Sequence, residues 1–416
     1  MLIEFSVKNF LSFKDKTTLF MNANSGNENS QNYVESTYLN LLKSVAIYGS
    51  NASGKTNLLK ALKCAITIIK NSHLIPENGV WIDVEPFLFD KTTASQPSEF
   101  EFKVLLNGIK YRYFFKMDKE NVYDEFLEAY YTRKPTLIFK RSCIDKYEFN
   151  TDKKILEDIA FKNTKNKLFL STATVWNYSK TKDIFDWFSK KIYFLGSYIP
   201  VPKDYLFGFM EENSSLKSFA LKILNEADIG IKDISVSARK IELNGQLNHL
   251  ENIGSFYNSS KETLFKVEFE HETINEDGVI NTFSLNLNKE SDGTKTLFTF
   301  IPYLKEALES ECLLIVDELE KSLHPMLVEY ITKLFNNNNL NIYGSQMIFT
   351  THLTNLMNIE LFRRDQIWFV EKDVKTGSSN LYSLDSFSIR KDENIYKGYL
   401  SGRYGAVPYI KEEVTW

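Results

Sequence analysis

The sequence predicts a mixed α/β protein built on a parallel sheet, and three stretches predict it. "SVAIYGSNASGKTNLLKALKCAITIIK" runs from a short apolar strand, through a turn bounded by glycines, into a helix-periodic segment. Beyond residue 290, "TKTLFTFIPYLKEAL", "CLLIVD", "HPMLVEYITKLFN" and "SQMIFTTH" alternate helix with apolar strand, as parallel sheets do. Between residues 80 and 150, "EFEFKVLLNG", "KYRYFFKM" and "FLEAYYTR" add a β-rich lobe.

Composition sets the bounds. The 416 residues are 43% apolar and 25% charged, enough for a large core in about two to three domains. A net charge of -4 argues against a generic polyanion binder. Residues 101–200 hold 19 Lys/Arg against 13 Asp/Glu, which reads as a solvated mixed surface. Cys64, Cys143 and Cys312 match no metal spacing and read as buried free thiols of a reducing compartment. Five histidines argue against a His-rich metal centre. "MLIEFSVKNFLSF" lacks the pattern of a signal peptide, and no apolar run suits a membrane span. The expectation is a cytoplasmic protein without membrane association.

In chain order, "LIEFSVKNF" alternates as a half-buried strand and "TTLFMNA" reads as a second. Asn22 to Asn32 is a loop by composition. "SVAIYG" is a buried strand, and Leu58, Leu59, Leu62, Ala65, Ile66 and Ile69 mark the apolar face of the following helix. "LLNGIKY" predicts a hairpin turning at Asn107-Gly108. Helical segments such as "SSLKSFALKILNEA" follow, and "FKVEFEHE" and "TFSLNLN" return to strand. The predicted domains are an N-terminal lobe over 1–150, an inserted helical and mixed subdomain over 151–260, and a C-terminal lobe over 261–416. No heptad is sustained.

Four motifs carry chemistry. Gly49-Ser50-Asn51-Ala52-Ser53-Gly54-Lys55-Thr56 matches G-x-x-x-x-G-K-[ST] in the required strand-to-helix setting. Glycines let backbone N–H groups wrap phosphate oxygens, and the helix N-terminus adds positive potential. Lys55 would reach the β- and γ-phosphates, and Thr56 would ligate Mg2+. In "CLLIVDELEKSLHP", the strand Leu313 to Val316 delivers Asp317 and Glu318 at its end. Buried strands rarely end in two carboxylates without work or partners for them. Asp317 suits water-mediated Mg2+ coordination, and Glu318 is placed to polarise an attacking water. In "KESDGTKTL", Ser291 and Gly293 open a helix and could form an anion site. In "MIFTTHL", a strand delivers Thr350, Thr351 and His352.

In this order the motifs resemble an ABC-type ATPase of the RecF/SMC/OLD group. More narrowly they are similar to the "AAA15" ATPases of anti-phage abortive-infection systems (RloA/AbiL-like). "LIEFSVKNFLSFKD" matches that group's first strands, and "GSNASGKT" has its phosphate-loop Asn. "ESDGTK" stands where the LSGGQ-type signature lies, departing from it at Asp292 and Thr294. His324-Pro325 and the tail "YLSGRYGAVP" are also family-like. The resemblance implies an ATPase head with a β-rich N-terminal lobe, an inserted subdomain and no long coiled coil. It implies ATP and Mg2+ as cofactors and a homodimer, or higher homo-oligomer, sandwiching two ATPs. Lys55 and Asp317 of one subunit would face Ser291 and Gly293 of the other, with Glu318 and Lys55 catalytic and His352 the switch at the γ-phosphate. Residues Asn9 to Phe13 would lie at the adenine, with Phe13 as a stacking side chain and Gln96 as the site-closing glutamine. Arg403 is open to two readings, a phosphate or partner contact and a structural salt bridge.

Absences narrow the function further. About 230 residues of mixed structure separate Thr56 from Ser291, unlike the heptads of a chromosome tether. The 64 residues after His352 are too few for a metal-dependent nuclease domain, and no ribonuclease, H-N-H or zinc pattern occurs. The expectation is an ATPase without a second enzyme: the sensor or regulator of an anti-phage system, controlling a separate effector such as a nuclease or toxin. DNA or a phage component is a further candidate partner. The alternative is a RecF-like DNA-binding repair ATPase. A transporter subunit fits less well, since no clear LSGGQ or glutamine loop is present.

Overall fold

In the computed structural model, residues 1–26, 28–36, 39–196, 203–210, 214–227, 229–242, 261–274, 278–390 and 393–408 are described. The segment 243–260, within the predicted inserted subdomain, lies outside them. Contacts divide the chain into two compact units, Met1–Phe194 with Ala307–Leu319 and Glu329–Trp416, and Leu195–Glu306 with Glu320–Val328.

The first unit holds two large sheets. The seven-stranded one is antiparallel, and Leu2–Lys8 pairs with both Thr17–Phe20 and Ser98–Leu106. From there Ile109–Met117, Val122–Tyr130, Thr136–Ser142 and Lys146–Glu148 follow as a meander. The hairpin turns where expected: Asn107 (φ 51°) and Gly108 (φ 76°) take the left-handed conformation of a type I′ turn, with Leu106 paired to Ile109. One face of these strands is aromatic. Phe5, Phe100, Phe102, Tyr113 and Phe115 are buried in a single core that also takes in Leu58, Leu62, Ile66 and Ile69 of the helix Lys55–Asn71. A 3.6-residue stripe thus meets a period-two face, the packing the sequence pattern calls for.

The second large sheet has the order Ile192–Leu195, Leu313–Val316, Gln346–Thr350, Ser44–Tyr48, Ile367–Lys372, Ser379–Ser383. Leu313–Val316, Gln346–Thr350, Ser44–Tyr48 and Ile367–Lys372 run parallel, and the last strand is antiparallel. The strands Leu313–Val316, Gln346–Thr350 and Ser44–Tyr48 are buried throughout, so they read as apolar runs rather than alternating strands. Because they are parallel, the residues that follow them emerge at one edge of the sheet.

In the second unit, Ile231–Glu242, Lys261–Ile274 and Ile280–Asn286 form an antiparallel sheet. Phe209, Phe269 and Phe298 pack there with ring centroids 5.1 and 5.2 Å apart. The longest described helix, Asp292–Glu309, has 18 residues, and no long coiled coil occurs among the described residues. No described helix is long and apolar enough to cross a membrane. Cys64 and Cys312 are buried, but Cys143 is exposed, because it lies in the turn between Thr136–Ser142 and Lys146–Glu148 with φ 48°.

Candidate functional site

Gly49 to Thr56 leaves the end of Ser44–Tyr48 and enters Lys55–Asn71. Two glycines make the loop possible. Gly49 has φ 156°, and a β-carbon there would collide with Val370 O. Gly54 has φ 113°, and a β-carbon would run into the Ser379 hydroxyl and come within 2.8 Å of Ser12 Oγ. Ala52 is also left-handed, at φ 61°. Hydroxyls brace the loop from below. Ser379 Oγ lies 2.6 Å from Ser53 O and 2.8 Å from Ser12 Oγ, and Asn57 Nδ2 donates to Ser12 Oγ at 2.9 Å. Lys55 is buried, and its Nζ donates to Gly49 O at 2.7 Å and Ser50 O at 3.1 Å, which fixes the ammonium against the loop. Ser53 Oγ is buried without a hydrogen-bond partner, and a phosphate oxygen would supply one.

The acidic strand arrives two places along the same sheet. Asp317 Oδ1 accepts from Thr350 Oγ1 at 2.7 Å and lies 3.4 Å from Thr56 Oγ1. Glu318 is exposed, with a left-handed backbone at φ 53°. Its N–H donates to Thr350 Oγ1 at 2.7 Å, and Leu319 N–H donates to Thr350 O at 3.1 Å. His352 is exposed just past the end of Gln346–Thr350. The first unit therefore brings together Lys55, Thr56, Asp317 and Glu318, with His352 on the neighbouring strand end.

Ser291 and Gly293 belong to the second unit. Ser291 Oγ accepts from Thr294 N–H at 3.1 Å and shares a 2.8 Å bond with Thr294 Oγ1, capping its own helix. Glu290 bonds His271 Nε2 at 2.7 Å, anchoring the turn to the strand Lys261–Ile274.

Two expectations change. Phe13 is fully buried in the core and offers no ring face to a base, because the turn Asn9 to Phe13 closes on itself through reciprocal Phe10–Phe13 backbone bonds of 2.9 Å. Asn9 is buried too, and its amide is occupied by Thr93 O, Gln96 O and Phe87 N–H. The segment serves the loop through Ser12 instead. Gln96 is exposed on the turn before Ser98–Leu106, and its backbone carbonyl is what anchors Asn9. Arg403 pairs with Glu393, the structural one of its two readings.

The aromatic that does open beside the loop is Phe89. A cleft of about 630 Å³ has Ser50 to Ser53 on one side and Phe89, Lys14 and Lys372 among its other walls. Phe89 is 74% exposed, and Lys372 Nζ stands 5.4 Å from its ring centroid. Lys14 pairs with Asp90 at 2.7 Å; that ammonium and the Thr92 N–H hold the Asp90 carboxyl down at about 2. In the sequence "EPFLFD" carries no spacing that marks Phe89, so nothing short of the fold reveals it.

Residues 44–358 match the family described as "AAA domain, putative AbiEii toxin, Type IV TA system". The chain belongs to this AAA family. The match spans the phosphate loop, the Ser291 turn, the acidic strand and His352, so the domain is an AAA-type ATPase domain. Ser12, Lys14, Ser379 and the tail Tyr399 to Pro408 lie outside it. No curated protein matches the chain. Among solved structures, the SMC head domain from Thermotoga maritima is similar over 93% of this chain and 99% of that one, at 13% identity and a TM-score of 0.41.

Proposed function

We propose that this AAA-family protein binds ATP at Gly49 to Thr56 and hydrolyses it with Glu318 as the base, and that it does so to regulate a separate effector in anti-phage defence. The observation that carries the ATPase reading is the approach of Thr56 Oγ1 and Asp317 Oδ1 to 3.4 Å at the end of the loop whose carbonyls hold the Lys55 ammonium. Those oxygens suit Mg2+, a hard ion that accepts one or two protein ligands and completes its shell with phosphate and water. Mg2+ would neutralise charge on the β- and γ-phosphates. Lys55 shares that task, backbone N–H groups of the loop orient the chain of phosphates, and Glu318 takes the proton of the attacking water as ADP and phosphate form. Phe89 is the proposed platform for the base.

The regulatory reading rests on two supports. The family description couples the AAA domain to a toxin system, and the chain has no nuclease motif in its sequence. Ser291 and Gly293 of a second copy would complete each site, which would tie ATP binding to assembly.

The deciding experiment is ATP turnover by purified wild type, Lys55→Ala and Glu318→Gln. Both variants should lose hydrolysis by about 100-fold or more, as removal of a transition-state contact does. Glu318→Gln should still bind ATP. Wild-type turnover in Glu318→Gln would remove the catalytic assignment. Full phage protection by both variants would remove the ATP-dependent defence role.

A further inference from the structure

Thr350 lies in Gln346–Thr350, the strand between the phosphate-loop strand and the acidic strand. Its side chain is fully buried, and both capacities of its hydroxyl are used on the acidic pair. It donates to Asp317 Oδ1 at 2.7 Å and accepts from Glu318 N–H at 2.7 Å. Its carbonyl takes Leu319 N–H at 3.1 Å, and the next residue's N–H reaches back to Ile47 O at 3.1 Å. A glutamate at φ 53° is uncommon, and such a strained conformation persists only where its surroundings hold it. Here Thr350 holds it from both sides, through the N–H groups of Glu318 and Leu319.

We propose that Thr350 is the positioning residue of the hydrolytic site: one hydroxyl sets the Asp317 carboxylate toward Thr56 and, in the same geometry, locks the backbone that presents Glu318 to the attacking water. The inference rests on the ATPase reading above. It extends that reading to a residue that touches neither nucleotide nor water and acts through the two carboxylates. Thr350 is also two residues from His352, so a shift of this strand end moves the switch histidine and the base together.

The effect belongs in turnover, not in nucleotide capture, because the phosphate loop and the cleft at Phe89 make no bond to Thr350. Thr350→Val keeps the shape and removes the hydroxyl. It should lower kcat by about 10–100-fold, the scale of a small misplacement of reacting groups. The dissociation constant for a fluorescent ATP analogue measured without Mg2+ should stay within about twofold, since the P-loop contacts are untouched. Thr350→Ser restores the hydroxyl and should recover kcat to within about threefold. If Thr350→Val does not fold, Thr350→Cys, a similar volume with a weaker hydrogen bond, takes its place with the same expected loss. Wild-type kcat in the Val or Cys variant overturns the proposal. So does an equal loss in Thr350→Ser, which would make the residue a matter of packing. Lack of turnover in wild type sinks the ATPase reading and this one with it. Turnover that Glu318→Gln abolishes and Thr350→Val spares sinks this one alone.

Discussion

At the scale of single residues, backbone geometry and burial decide more than residue type. Gly54 is fixed by two constraints, a left-handed φ and the Ser379 and Ser12 hydroxyls beneath it. Gly54→Ala should therefore cost at least about 1–3 kcal/mol of strain and abolish binding of a fluorescent ATP analogue, with the melting temperature reporting the strain. Phe89 is the opposite case, exposed and free of core duties. Phe89→Ala should leave the melting temperature in place and raise KM for ATP several-fold, on the order of the 0.5–1.5 kcal/mol of an aromatic contact; an unchanged KM removes the base platform. Lys43 contributes to the pH dependence of stability. It is buried at the start of the phosphate-loop strand, bonded to Asn338 Oδ1 and to Asn336 O, and burial lowers its pKa to about 8. Between pH 8 and the unfolded value of 10.5, the unfolded chain binds the extra proton, so this residue makes stability rise with pH across that window. Wild type should gain melting temperature relative to Lys43→Met as the pH rises from 8 to 10.

At the scale of elements, polar groups buried between secondary structures do the fastening. Arg141, fully buried, donates to the carbonyls of Ile144, Thr164, Lys165 and Lys167. Glu125, also fully buried, accepts from Phe169 N–H, Leu170 N–H and Tyr113 Oη. Together they tie the strands Val122–Tyr130 and Thr136–Ser142 to the loop 163–168 and the start of the helix Phe169–Val175. Burial raises the Glu125 pKa, and the Arg141 charge opposes that shift. Arg141→Met should destabilise by about 3–5 kcal/mol, because four carbonyls lose their donor and the buried Glu125 carboxylate loses the positive charge near it; a shift in denaturation midpoint reads it. The tail is an element of the same kind. Tyr399 stacks on Phe369 at 5.5 Å and 13°, sits 6.3 Å from Tyr48, and bonds Ala406 O, while Tyr404 bonds Glu393. The segment "YLSGRYGAVP" thus forms an aromatic cap beside the residue that precedes Gly49, and Arg403 stabilises the cap through Glu393.

At the scale of the whole molecule, the proposed assembly can be tested on residues of both compact units. Lys55, Asp317 and Glu318 lie in one compact unit, and Ser291 and Gly293 in the other. If a second copy supplies the Ser291 turn, Glu318→Gln with ATP and Mg2+ should double in mass by light scattering, and Ser291→Arg should hold the same protein as a monomer. A monomer under all conditions would remove the composite site and leave hydrolysis to be explained within one chain.

The sequence by itself determined what local pattern can carry. Period-two and period-3.6 stripes marked the strands and helices, Asn107-Gly108 marked its turn, and "GSNASGKT" with "LLIVDE" marked the phosphate loop and its acids, since those residue types at that spacing have few other uses. Tertiary structure decided everything that depends on which strands are neighbours. Parallel order puts Gln346–Thr350 between the loop and the acids, and only that order gives the Thr350 hydroxyl its two partners. It also buries Phe13 and exposes Phe89, two phenylalanines that composition and periodicity cannot tell apart, because burial is set by contacts far away in the chain.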